Sequence, residues 1–403
     1  MNSTMPDTLA TVEFQSDWKS EAASHTDIFY ADRINFWRDI FPPQLYNALI
    51  YRYIGDSAEI GFKPGEVIPL YDDRKLFGIR AYQFEKKFRS DAVIHPRPGR
   101  FYPKGLLKDI ANVFKENIEP FRCTNVSDSE IQVDFNHPLA GKELRIKTLI
   151  CDVKNKPFDR GGSLTDWIDA ITDVPGMQAR WKGEPTDFFS DDPFRRSDET
   201  SDTHFYEKPR FINHLDDTAI AHIRNLYGRL IMPGSRVLDM MSSWTSHLPM
   251  NLEPGQVTGL GLNAEELKQN ERLTDYVVHD LNETPILPFE EGHYDAVICT
   301  VSVEYMTRPF EVFAETARIL KPGGVFILSF SNRWFSPKVI RIWQEIHEFE
   351  RMGLVIEYFL QTGKFEKIST LSIRGYPRPE TDKYYSQQFF SDPVFAVWGT
   401  KRS

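Results

Sequence analysis

Asp239 closes the apolar run Val237-Leu238-Asp239-Met240, and the turn behind it reads Met241-Ser242-Ser243-Trp244-Thr245. A strand ending in an acid at a tight turn is how an open α/β sheet holds a nucleotide at its carboxyl edge. Such a turn ordinarily uses glycine, because the backbone must approach the ligand closely. Here Ser242 and Ser243 are small, but Met241 and Trp244 are not, and Trp244 is placed to stack on a ligand or to plug its cleft. A second acid, Asp280, ends the run Tyr276-Val-Val-His-Asp280. Ser302, Glu304 and Tyr305 follow the run Tyr294–Thr300, and Ser331, Asn332, Arg333 and Trp334 follow Val325–Phe330. Glu304 or Tyr305 is placed to take a proton, and Asn332 or Arg333 to orient an acceptor carboxylate or amide. His247 lies close enough to the first turn to face the same edge, as a ligand contact or as a structural hydrogen-bonding residue. No HExxH or HxxxH pattern and no GxSxG elbow occurs, so neither a metal nor a serine nucleophile is expected.

These positions require strands that alternate with helices. Val237–Met240, Val257–Leu262, Tyr276–Asp280, Tyr294–Thr300 and Val325–Phe330 read as five strands of a mainly parallel sheet. Asp216 and Asp217 precede Ile220, Ile223, Tyr227 and Leu230 on one helical face. Pro309 opens another helix, carrying Phe310, Phe313, Ala317 and Leu320, and Lys321-Pro-Gly-Gly324 stops it. Phe365–Ile373 and Val394–Trp398 read as a closing antiparallel hairpin.

Residues 205–403 thereby resemble the class I S-adenosylmethionine-dependent methyltransferases. Three pieces carry the resemblance: Arg236-Val-Leu-Asp239, Val278-His-Asp280 with Leu287-Pro-Phe289, and Arg318-Ile-Leu-Lys-Pro-Gly-Gly-Val-Phe-Ile-Leu-Ser329. It implies a Rossmann-like sheet and S-adenosylmethionine as cofactor, faced by Asp239, Met241, Ser242, Ser243, Gly261, Asn263, Asp280, Leu281 and Thr300. Asp280 would receive the adenine amino group. The acid with which the family binds the ribose hydroxyls is replaced by Gly261. Asn263 is either a partial substitute for it or the cap of the helix that begins at Ala264.

Residues 28–153 are expected to form a smaller β-rich domain, after a loose tail at 1–27 and before a connector at 154–204. Phe101-Tyr-Pro-Lys-Gly-Leu-Leu107, Ile118-Glu-Pro-Phe-Arg122 and Val133-Asp-Phe-Asn-His-Pro-Leu-Ala-Gly141 are similar to SlyD-type FKBP prolyl isomerases. The opening strands of that family have no counterpart before Gly55, and Ile146 stands where a pocket phenylalanine belongs. The resemblance therefore implies an FKBP-like contact domain rather than an isomerase.

Composition sets the remaining bounds. The chain has 403 residues, enough for two cores, and a net charge of −10, which disfavours nucleic acid as a partner. Three cysteines, widely spaced, fit no disulfide framework. With no secretory start and no bilayer-length apolar run, the chain is expected in the cytoplasm. The reading is a methyltransferase acting on a small-molecule or protein acceptor. Its rival is a polypeptide-binding, prolyl-isomerase-like module whose second half is a non-catalytic scaffold.

Overall fold

The computed structural model describes residues 3–89, 92–156 and 162–403. The N-terminal half contributes β1 Thr8–Lys19, β2 Ser24–Asn35, α1 Pro43–Leu49, β3 Ser57–Phe62, β4 Leu76–Arg80, β5 Lys87–Arg89, β6 Ala92–Val93, β7 Phe101–Pro103, β8 Pro120–Val126, β9 Glu130–Asp134 and β10 Leu144–Asn155. Two short helices follow, α2 Trp167–Thr172 and α3 Asp202–Phe205. The C-terminal half runs α4 Asp217–Leu230, β11 Arg236–Met240, β12 Gln256–Gly261, α5 Ala264–Gln269, β13 Asp275–Val278, β14 Tyr294–Thr300, α6 Pro309–Ile319, β15 Leu320–Phe330, α7 Arg341–Glu345, α8 Glu348–Thr362, β16 Phe365–Arg374 and β17 Val394–Lys401.

The expected alternation is present. Asp216 caps α4 by accepting from the Thr218 and Ala219 amides, and Ala219, Ile220, Ile223, Leu226 and Tyr227 are buried. Pro309 opens α6, and Val312, Phe313, Thr316 and Ala317 turn inward. β13, β12, β11, β14 and β15 lie side by side in that order, every neighbouring pair parallel. β17 then runs antiparallel to β15 and to β16, which is the closing hairpin.

The sheet does not end there. Among the described residues it has eleven strands, ordered β13-β12-β11-β14-β15-β17-β16-β2-β1-β10-β3. β2 pairs parallel with β16 from Ser24↔Ser369 to Phe29↔Arg374. Residues expected as a loose tail thus form β1 and the start of β2, a correction with a simple cause. In β1, Ala10, Val12, Phe14, Ser16 and Trp18 face the core while Glu13, Gln15 and Asp17 do not. This is a period of two, but small and polar residues at several inward positions mask it. The seam with β16 carries buried polar pairs: Ser372 Oγ donates to Asp27 Oδ1 at 2.6 Å, Trp18 Nε1 donates to Asp27 Oδ2 at 2.7 Å, and His25 Nδ1 meets Thr370 Oγ1 at 2.8 Å.

The expected domain at 28–153 is therefore divided between two sheets. β2, β3 and β10 belong to the large sheet, whereas β4-β9-β8-β7 form a separate four-stranded sheet. The small sheet has its own core of Ile79, Phe84, Tyr102, Phe121, Ile131 and Val133. The connector at 154–204 is packed in its later part: Trp167, Ile168 and Ile171 join the core beneath β1, and Phe188 joins that of α6 and α8. Among the described residues, no helix is long and apolar enough to cross a membrane.

Candidate functional site

One cleft opens where β11, β12 and β14 end, and all nine positions expected to face a cofactor line it: Asp239, Met241, Ser242, Ser243, Gly261, Asn263, Asp280, Leu281 and Thr300. Asp239 is only 2% exposed, and its Oδ2 accepts from Ser242 Oγ at 2.6 Å. Burial pushes its pKa up to about 6, against the pull of the Ser242 and Ser246 hydroxyls. Asp280 anchors its own turn, with Oδ1 accepting from the Asn282 and Glu283 amides at 2.9 and 3.3 Å.

The turn without glycine works by taking a glycine's conformation. Met241 has φ +55°, and His247 and Val301, also on the cleft, have φ +51° and +43°. Such backbone is uncommon for L residues and unusual for β-branched valine, and it costs on the order of 1–3 kcal/mol per residue. The conformation lays the turn on β12, where the Ser242 amide donates to Leu260 O at 2.8 Å. A Cβ on Gly261 would meet Ser242 O at 2.2 Å. The close approach that normally requires glycine in the turn thus requires it at the end of β12. An acid at position 261 has no room.

Asn263 caps α5, with Oδ1 accepting from the Glu265 and Glu266 amides at 3.0 and 3.1 Å. Its Nδ2 donates to Tyr206 O at 2.9 Å and Glu207 O at 3.0 Å. Both ends of the amide are committed within the protein. A carboxylate beyond the end of β12 that does reach the cleft is that of Glu266, on the first turn of α5 and 8% exposed. Its Oε2 accepts from Ser243 Oγ at 2.6 Å and its Oε1 from the Arg210 amide at 2.6 Å, which leaves a lone pair on each oxygen.

A strap from Asp202 to Leu215 forms the opposite wall. It is tied down by Asn263, by the Arg210–Glu266 bond, by Trp244 Nε1 donating to Ile212 O at 3.4 Å, and by Arg333 Nη1 donating to His214 O at 3.1 Å. The Arg210 guanidinium lies 4.6 Å from the Phe205 ring, 5.4 Å from Tyr206 and 4.9 Å from Phe335. Its Nη1 is buried without a hydrogen-bond partner among the described residues. Tyr305 stacks on Phe335 at 6.1 Å and accepts from the Phe335 amide at 2.8 Å. Burial pushes the Tyr305 phenol well above its ordinary range, so it remains protonated at neutral pH. His214 stands edge-on to Phe335 at 5.0 Å, and burial, with Arg210 nearby, lowers its pKa below 6.5.

Of the four residues expected to do chemistry, Tyr305 alone lines the cleft. Glu304 points into the core at 1% exposure, with neither oxygen hydrogen-bonded to another side chain or amide among the described residues. Asn332 is exposed, and Arg333 is held by Asp392 at 3.3 Å and lies over the Tyr384 ring at 4.8 Å; neither lines the cleft. Ser302 and His247 line it; burial pushes the His247 pKa down to about 4. Trp244 borders it as a clasp for the strap. Arg210, His214 and Glu266 were not singled out from sequence. Asn263-x-x-Glu266 reads as a capping box, which would turn the glutamate back on its own helix, and the strap has no periodicity to mark it.

The family description "Methyltransferase domain" matches residues 242–328. The ubiquinone/menaquinone biosynthesis C-methyltransferase UbiE of Burkholderia mallei is 27% identical over 173 residues, spanning 41% of this chain and 70% of that protein. A S-adenosylmethionine-dependent methyltransferase from Archaeoglobus fulgidus is 13% identical, covering 46% of this chain and 94% of its own, with a TM-score of 0.33. One from Mesorhizobium loti is 14% identical, covering 44% and 96%, with a TM-score of 0.32. The family match thus marks a methyltransferase domain at residues 242–328.

Proposed function

We propose that the chain transfers a methyl group from S-adenosylmethionine to a small planar acceptor bound between the cleft floor and the strap. The observation that carries this reading is the convergence of nine expected cofactor positions on one cleft, opposite the wall of Tyr206, Arg210, Tyr305 and Phe335. When bound, the cosubstrate supplies a methyl group on a positively charged sulfur, open to in-line displacement.

The residues present fit it. Asp239 and the Met241–Ser243 turn would hold the amino-acid part, and Glu266 the ribose hydroxyls in place of the acid that Gly261 displaces. Asp280 and Leu281 would hold the adenine edge and face. On the acceptor side, Arg210 offers an N–H without a partner to an anionic or carbonyl oxygen. Tyr305 orients the acceptor by donating its retained proton. His214, neutral at neutral pH, takes the acceptor proton. Positioning two reactants in this way supplies most of the rate in a displacement of this kind. The aromatic wall suits a flat ring, in keeping with the UbiE relatives, which are named for C-methylation in ubiquinone/menaquinone biosynthesis.

Glu266→Gln tests the site. The amide keeps the length and one acceptor oxygen but loses the charge, so S-adenosylhomocysteine should bind about tenfold or more weakly in calorimetric titration, the worth of one charge-assisted bond. Wild-type affinity in this variant would remove Glu266 from the cofactor site.

A further inference from the structure

A second cavity lies far from the cleft in lining, sharing no residue with it. It encloses about 120 Å³ between the small sheet and the packed connector, and the Asn136–Ala140 turn forms part of its wall. That is room for several waters, or for one phosphate or short carboxylate. Its floor holds Arg122, 6% exposed, whose guanidinium lies 4.2 Å from the Phe101 ring. Only one hydrogen bond is formed by its five N–H donors among the described residues, from Nη2 to Ala179 O at 2.9 Å.

No carboxylate forms a contact ion pair with that charge among the described residues, although Glu350, Asp134 and Glu21 act on it from farther away. Asp134 also lines the cavity, but its four lone pairs are taken by Tyr71 Oη and Trp181 Nε1 at 3.0 Å and by the Asn136 backbone and side-chain nitrogens at 2.8 Å. Glu21 pairs with Lys142 at 3.1 Å. Glu350 is ion-paired with Arg100 at 3.9 Å and accepts from the Phe101 and His347 amides. Burial pushes the Arg122 pKa down to about 10, against the pull of Glu350, Asp134 and Glu21.

At the rim stands Lys182, also without an ion pair among the described residues. It lies 4.4 Å from the Tyr71 ring and 5.0 Å from the Trp181 ring. Its φ of +49° is a conformation that asparagine or glycine adopts more readily. The turn Trp181–Glu184 therefore spends a strained position on a cation aimed over the aromatic edge of the cavity.

We propose that this cavity binds a small oxyanion, the phosphate or carboxylate group of a metabolite, with Arg122 beneath it and Lys182 closing over it. The test is calorimetric titration of the full chain with inorganic phosphate and with malonate at constant ionic strength. At least one should bind saturably at one site per chain, the tighter anion identifying the group. Lys182→Asn suits the turn and removes only the charge, so it should weaken that binding about tenfold while S-adenosylhomocysteine affinity stays unchanged. Arg122→Gln, if it folds, should abolish anion binding. Absence of saturable binding by both anions would overturn the proposal, and so would unaltered affinity in Lys182→Asn.

Discussion

Glu304 shows how far residue type alone carries and where it stops. Its place after β14 was legible, because the apolar run ends at Thr300 and a carboxylate four residues on is placed for proton transfer. Its direction was not, since a short 3₁₀ turn over Val303–Tyr305 rotates it into the core and leaves Tyr305 at the cleft. Burial pushes the Glu304 pKa up to about 8 from an ordinary 4.5, eased by Arg351. The folded chain therefore holds a proton that the unfolded chain releases as pH rises from 4.5 to 8. Stability from this group is fully present near pH 4.5 and is lost across that window, at up to about 1.4 kcal/mol per pH unit. Glu304→Gln should thus flatten the stability–pH curve and gain most near pH 8 in urea unfolding; parallel curves for variant and wild type would refute the buried acid. The cleft acids were easier to read, because Asp239 and Asp280 sit where strands end. Glu266 was hidden because its spacing from Asn263 has a purely local explanation.

At the scale of elements, β11, β12, β14 and the later part of β15 were legible because each is a short run rich in apolar residues, with Gly, Pro or an acid close by. β1 and β2 were not, because their inward face includes Ser16, His25 and Asp27, and His25 and Asp27 each take one partner on β16, 345 positions away. Such partners are invisible to local pattern. The pairing also has a protective consequence. β16 would otherwise present the unpaired edge of a long sheet, a template for association with other chains. Deleting residues 1–23 removes β1, leaves β2 with one free edge and strips β10 of a neighbour. The truncated chain should run as aggregate in size-exclusion chromatography, or lower its urea midpoint. A monodisperse truncation with an unchanged midpoint would show that the N-terminal strands lend the sheet nothing.

For the whole molecule, the continuous sheet makes the two halves one mechanical unit, although sequence suggested two domains joined by a connector. Trp167, Ile168, Ile171 and Phe188 of the connector instead join the cores, and the strap from Asp202 to Leu215 forms one wall of the cleft. Ligand binding at the carboxyl edge should therefore stabilise the entire sheet. The most direct measurement is thermal unfolding of the full chain with and without S-adenosylhomocysteine at about 100 times its dissociation constant. A single transition, stabilised by about 2.7 kcal/mol, is predicted. An unchanged transition at millimolar ligand would contradict the placement of the cosubstrate in this cleft.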